Sequence, residues 1–274
     1  MIKYNKKLVF AFLLTLFFAI LSLVYINFNS NSNYIFLNKK DTISFFKNDE
    51  DHYVRNMTKY DLKCRNSNTA KEYIDRICEC VVDFTEDEKN RLVKCANKAD
   101  SFFANYKYMN KLNCKTLLKI RWKFALTSKN KYGEDYEEGL PHTRKDIIFL
   151  SKSEISHNEN DIILTSTLIH EKIHIYQRYN TRTMDILIKD MGYIEYNRGN
   201  TSKLKRTNPD INDKTYYDAS NNKIMLIEYN SEEPNSINDI KTSDYKYEHP
   251  YEKMAYEIQN EYTRYEMNNI TKNI

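Results

Sequence analysis

Apolar positions fall into three patterns along the 274-residue chain. The first is a run of 19 residues without a charge, Leu8 to Ile26, broken by Thr15 and Ser22 and preceded by Lys3, Lys6 and Lys7. At ~1.5 Å per residue it would reach about 28 Å, close to the roughly 30 Å core of a bilayer. A secretory signal has a shorter apolar core and a small-residue cleavage site, and Asn27 to Asn33 carries no such site. The pattern predicts a retained transmembrane signal anchor over 8–26. The preceding lysines put residues 1–7 in the cytoplasm and the rest of the chain on the lumenal or extracellular side. Asn and Ser alternate from Asn29 to Asn33 as in a flexible tether, so 27–50 reads as a linker.

The second pattern has a period near 3.6. From Asp61 to Lys131 the points Ile74, Ile77, Val81, Leu92 and Cys95 predict helices, hence a helical N-terminal lobe over 51–135. Between Asp161 and Arg178 there is neither Gly nor Pro. There Ile162, Ile169, Ile173 and Tyr176 form one apolar stripe, with His170, His174 and Gln177 beside it and Asn160 or Asp161 placed to cap the helix. A further helix is expected from Pro250, which suits a first helical position, with Glu252, Ala255, Tyr256 and Gln259 on one face. The third pattern is β-prone. Ile147 to Leu150, within Thr143–Ser151, is an apolar run bounded by polar residues after a turn at Gly139–His142, and Ile224 to Tyr229 also reads as a strand. Residues 198–218 and 231–247 read as loops.

The chemistry lies in His170-Glu171-Lys172-Ile173-His174. Residues four apart share a helix face, so two imidazoles can bind one metal ion, with the intervening Glu beside a water to be deprotonated. A hydrolytic zinc site takes three protein ligands and keeps one position open. Glu252 is the expected third ligand, because a small Ala255 one turn away lets the two helices approach. His249 and Glu257 are the alternatives.

These residues resemble the zincin metallopeptidases, in the branch whose third ligand is a glutamate on a downstream helix. The resemblance covers about Gly139 to Met267. It departs from that branch in the 77 residues separating His174 from Glu252, which imply an insertion. The absence of a third His close behind the pentad argues against the three-histidine branch. The resemblance implies an α+β fold: a zincin-like domain over 136–274 with an active-site helix and an edge-strand sheet that pairs with extended peptide. It also implies Zn2+ held by His170, His174 and Glu252, a zinc-activated water with Glu171 as general base, and a protein or peptide substrate. His249, beside the expected site, is the best candidate for a substrate or transition-state contact.

Cys64, Cys78, Cys80, Cys95 and Cys114 all precede this region. On the far side of a membrane they could form two disulfides with one left over; in the cytosol they would be free thiols. The net charge of +4 is spread along the chain, without a dense basic block, so nucleic acid is not indicated. The reading is a membrane-anchored zinc metallopeptidase. Its rival is a non-catalytic membrane or virion protein that uses a zincin-like fold for binding or structure.

Overall fold

The computed structural model describes residues 33–105, 112–157, 161–196, 202–241 and 247–272. The chain divides into two units, 1–35 and 36–274, with strand β1 (Tyr34–Phe36) at their boundary. Every other element among the described residues lies in the second unit.

The N-terminal part of that unit is mostly helical. It comprises α1 (Lys39–Asn48), α2 (Lys59–Lys63), α3 (Ala70–Glu79), β2 (Val81–Val82), α4 (Glu86–Asn105) and α5 (Cys114–Leu117). Polar caps start these helices: Asn38, Thr58, Thr69 and Asn113 each accept a backbone N–H of the first turn. Helix α1 lies inside the stretch expected as linker, yet its Phe46 is fully buried.

The sheet is built on β3 (Trp122–Thr127), which pairs in parallel with β5 (Ile147–Ser151), Phe124 opposite Ile148. Strand β2 runs antiparallel along the far end of β3. Beyond β5 lies β4 (His142–Arg144), antiparallel to it and last in the order. All five residues of β5 are buried, so Ile147–Leu150 is a core strand and the edge is His142–Arg144. Residues 122–127 had read as helical. The segment nonetheless carries the period of a strand, with Trp122, Phe124 and Leu126 alternating with Lys123, Ala125 and Thr127.

Each face of the sheet has its own cover. Phe149, Ala125 and Ile147 pack with Phe46 of α1, Ile77 of α3 and Val54 of the turn between α1 and α2, and the Phe46 and Phe149 rings stack at 5.3 Å. Burying one such ring contributes roughly 1.5–3 kcal/mol. On the other face lies α7 (Asp161–Tyr179), after the short α6 (Lys152–His157). Lys172 of α7 sits 4.1 Å above the Trp122 ring and bonds Asp100 of α4 at 2.7 Å. Trp122 Nε1 donates to the same carboxylate.

After α7 come α8 (Thr181–Asp190) and a small antiparallel sheet of β6 (Tyr193–Glu195), β7 (Tyr216–Asp218) and β8 (Lys223–Met225). The last helix, α9 (Pro250–Lys272), lays Tyr251, Met254, Ala255, Ile258 and Tyr262 inward. That i, i+3, i+4, i+7 spacing is a core-facing stripe. Gln177 of α7 donates to the Tyr251 carbonyl and to Met254 Sδ, which fixes where α9 meets α7.

The architecture is therefore mixed α+β, but the expected membrane anchor needs correction. No helix among the described residues is long and apolar enough to cross a membrane, and Leu8–Ile26 lie outside the described residues. The single-pass placement, with a cytoplasmic N-terminus and a lumenal or extracellular domain, rested on that segment and finds no helix to carry it among the described residues. The disulfides inferred from that placement do not form: all five cysteines are free, four of them buried.

Candidate metal centre

His170 and His174 lie one turn apart on α7, 8 % and 0 % exposed, and Glu252 faces them from the first turn of α9. Their ligand atoms converge. His170 Nε2 and His174 Nε2 are 2.9 Å apart, and Glu252 Oε2 is 3.4 Å from the first and 3.7 Å from the second. Donors about 2.0–2.1 Å from a tetrahedral zinc lie roughly 3.3–3.4 Å from one another. The three separations bracket that value.

Hydrogen bonding fixes which nitrogens are free to ligate. Gln177 Nε2 donates to a backbone carbonyl, so its Oε1 faces His174 Nδ1 at 2.9 Å and accepts the N–H there. Gln259 Nε2 donates to Ser166 Oγ at 3.4 Å, and its Oε1 receives His170 Nδ1–H at 2.9 Å. With both protons on Nδ1, both neutral imidazoles turn an Nε2 lone pair inward. Two lone pairs and a carboxylate at such separations repel unless a cation or proton lies among them. The group His170, His174 and Glu252 can hold a metal ion.

No protein-family model, curated protein or solved structure matches this chain. The site must be read from its own geometry.

The charges show how strongly the pocket calls for a positive partner. Burial disfavours ionisation of both Glu252 and His174. Their mutual attraction overrides it, holding Glu252 well below the usual carboxylate range and pushing His174 up to about 9. Glu252 Oε1 is occupied elsewhere, accepting from Asn208 Nδ2 at 3.1 Å. Only Oε2 turns to the histidines.

Glu171 sits beside the cluster, 3 % exposed. Its Oε2 has no hydrogen-bond partner among the described residues. Burial, reinforced by the charge of Asp210, raises its pKa well above the ordinary value. A cavity of about 340 Å³ opens in front of Glu171, His170 and Glu252, walled by Leu140 to His142, Asn208 to Asp210, Tyr247 and Tyr256. The ring of Tyr256 meets that of His170 edge-on at 4.5 Å.

His249 is not part of this group. Its Nδ1 accepts the Tyr251 N–H at 3.0 Å, capping α9, and its Nε2 donates to Asn212 Oδ1 at 3.1 Å. Burial lowers its pKa to about 3, and its ring packs edge-on against Tyr216 and Tyr251. His249 thus caps α9 with both ring nitrogens engaged inside the fold, apart from the group of three ligand atoms. Glu257 lies outside the cluster too.

The expected backbone pairing at the sheet edge is also altered. In an antiparallel strand the N–H and C=O of one residue point the same way, and those of Thr143 point out from β4. Its N–H and Oγ1 donate to Asp210 Oδ1, and its C=O accepts from Arg178 Nη2. The outward edge at Thr143 is thus taken from within the chain. Asn208, Asp210 and Gln259 all act here, and none stood out in the sequence as acting. Gln259 had at least the signal of sharing a helix face with Glu252.

Proposed function

We propose that the chain is a zinc-dependent metallopeptidase that hydrolyses peptide bonds, with Glu171 as general base and His170, His174 and Glu252 as the metal ligands. One observation carries this reading. Three ligand atoms converge with their outer sides already satisfied, and an unpartnered carboxylate adjoins them at the wall of a cavity. Zinc bound there would supply Lewis-acid polarisation of a carbonyl and lower the pKa of a water towards about 7.

The chain's own groups would do the rest. Glu171 Oε2 is the atom placed to take a proton from water, and the raised proton affinity of its carboxyl suits a group that must hold that proton and return it to the leaving amine. Gln177 and Gln259 keep both imidazoles in the tautomer that leaves Nε2 unprotonated. Peptide bonds enter as the substrate through the resemblance to zincins with a glutamate third ligand. The experiment is hydrolysis of an unbiased peptide library by the zinc-loaded chain and by Glu171→Gln. Cleavage by the first and none by the second is expected. Equal cleavage by both would remove Glu171 from the mechanism.

A second reading, the same fold used for binding or structure without catalysis, is favoured by the occupied edge at Thr143. It predicts a zinc-loaded chain that cleaves no peptide in the library.

A further inference from the structure

Glu248, two residues ahead of α9, and Glu252, in its first turn, are both buried, and each raises the cost of ionising the other. Arg206 Nη2 takes up Glu248 Oε1 at 2.9 Å. The group that joins the two carboxylates is Asn208, whose Nδ2 donates both to Glu248 Oε1 and, at 3.1 Å, to Glu252 Oε1. We propose that Asn208 is a positioning residue of the metal centre, holding Glu252 Oε1 so that Oε2 alone faces His170 and His174. The proposal rests on the metal reading above and deepens it.

The amide is locked in place. Its Oδ1 accepts the Asp210 N–H at 2.9 Å, which leaves Nδ2 as the end that meets the carboxylates. On one side Thr207 donates its N–H and Oγ1 to Asp61, and on the other the Pro209 carbonyl accepts from Arg178. Backbone and side chain are therefore fixed from both directions before any ligand arrives.

The residue type matters as much as the contact. A primary amide offers two N–H donors and no charge, so it satisfies two carboxylates without supplying a cation. A Lys or Arg at 208 would fill the deficit of positive charge that a metal needs; an Asp would add a third anion. Asn fixes Glu252 as a one-oxygen ligand and leaves the charge deficit at the histidines.

The test is zinc affinity of the full chain, by competition with a chromophoric chelator, for the native protein, Asn208→Ala, Asn208→Leu and Thr207→Ala. Leu keeps the branched shape and heavy-atom count of Asn without its donors, so the question stays answerable if the Ala variant folds poorly. Thr207→Ala loosens the same segment at its anchor to Asp61 and spares the amide. Melting temperature in excess chelator reports stability without metal. Both Asn208 variants are expected to bind zinc about 10- to 100-fold more weakly, while Thr207→Ala lowers the melting temperature and leaves the affinity unchanged. Native affinity in both Asn208 variants overturns the positioning role and leaves the metal reading standing. So does an equal loss in Thr207→Ala, because the effect would then belong to the segment as a whole. A native chain that binds no zinc overturns the metal reading, and this inference with it.

Discussion

Two of the buried polar clusters among the described residues are completed in opposite ways. Around Arg65 the protein supplies its own cation. The guanidinium Nε donates to Glu137 Oε1 at 3.0 Å, Nη2 reaches Tyr53, and Nη1 takes the Asp61 carbonyl. Against the cost of burial, Arg65 pulls Glu137 down to about 2. Around His170, His174 and Glu252 the nearest positive charge the protein can offer is a proton on an imidazole. The cations nearest in sequence are turned elsewhere: Lys172 bonds Asp100, Lys253 bonds the Tyr193 hydroxyl, and Arg178 donates to the Thr143, Lys145 and Pro209 carbonyls. A cluster that closes its own charge is structural. One that converges lone pairs and a carboxylate with no strong cation among them can hold one.

Perturbing the two clusters should therefore show up in different measurements. The largest effect is expected at Glu171. Glu171→Gln should keep native zinc stoichiometry by metal analysis and lose peptide hydrolysis by at least about 10²–10⁴-fold. Next comes the closed cluster. Arg65→Met leaves Glu137 charged and unpaired in the interior and should cost about 3–5 kcal/mol in denaturant unfolding, with zinc stoichiometry unchanged. An equal loss of zinc in that variant would erase the distinction between the two regions.

The same cluster carries a pH signature. Glu137 has a depressed folded pKa, about 2 against an ordinary 4.5. Its contribution is therefore fully present above about pH 4.5 and is lost as pH falls towards 2, by roughly 3 kcal/mol in all. Glu137→Gln should flatten the stability profile in that acid window. A profile as steep as the native one would show that other carboxylates govern it. At the open cluster, Gln177→Leu frees the tautomer of His174 and should weaken zinc about 10- to 100-fold; unchanged affinity would mean that α7 alone orients the ring. The smallest effect is expected at His249. His249→Asn retains a capping side chain, so a loss of about 1 kcal/mol in stability and none in zinc affinity is expected. Lost zinc would return His249 to the ligand set.

What could be read beforehand follows from the same contrast. Helices α7 and α9 were legible because their apolar positions repeat at 3.6 over many turns, and because Pro250 marks the start of the second. The meeting of His170, His174 and Glu252 was legible because two shared faces and a small Ala255 suffice to bring them together. Asn208 and Asp210 were not. They lie in a segment without periodicity, and they act through bonds to residues 44 and 67 positions away. Strand β3 does alternate at Trp122, Phe124 and Leu126, but over only six residues inside a stretch with a helical pattern, and the true edge of the sheet was hidden by the shortness of β4, three residues long. The disulfides failed for another reason. They were inferred from a compartment, which was inferred from Leu8–Ile26, so one step carried the next.

The most direct measurement is zinc stoichiometry of the full chain, native and Glu252→Ala, by metal analysis after dialysis against a weak chelator. One zinc per native chain, lost in the variant, is the result this account predicts. A folded native chain with no bound zinc would contradict it.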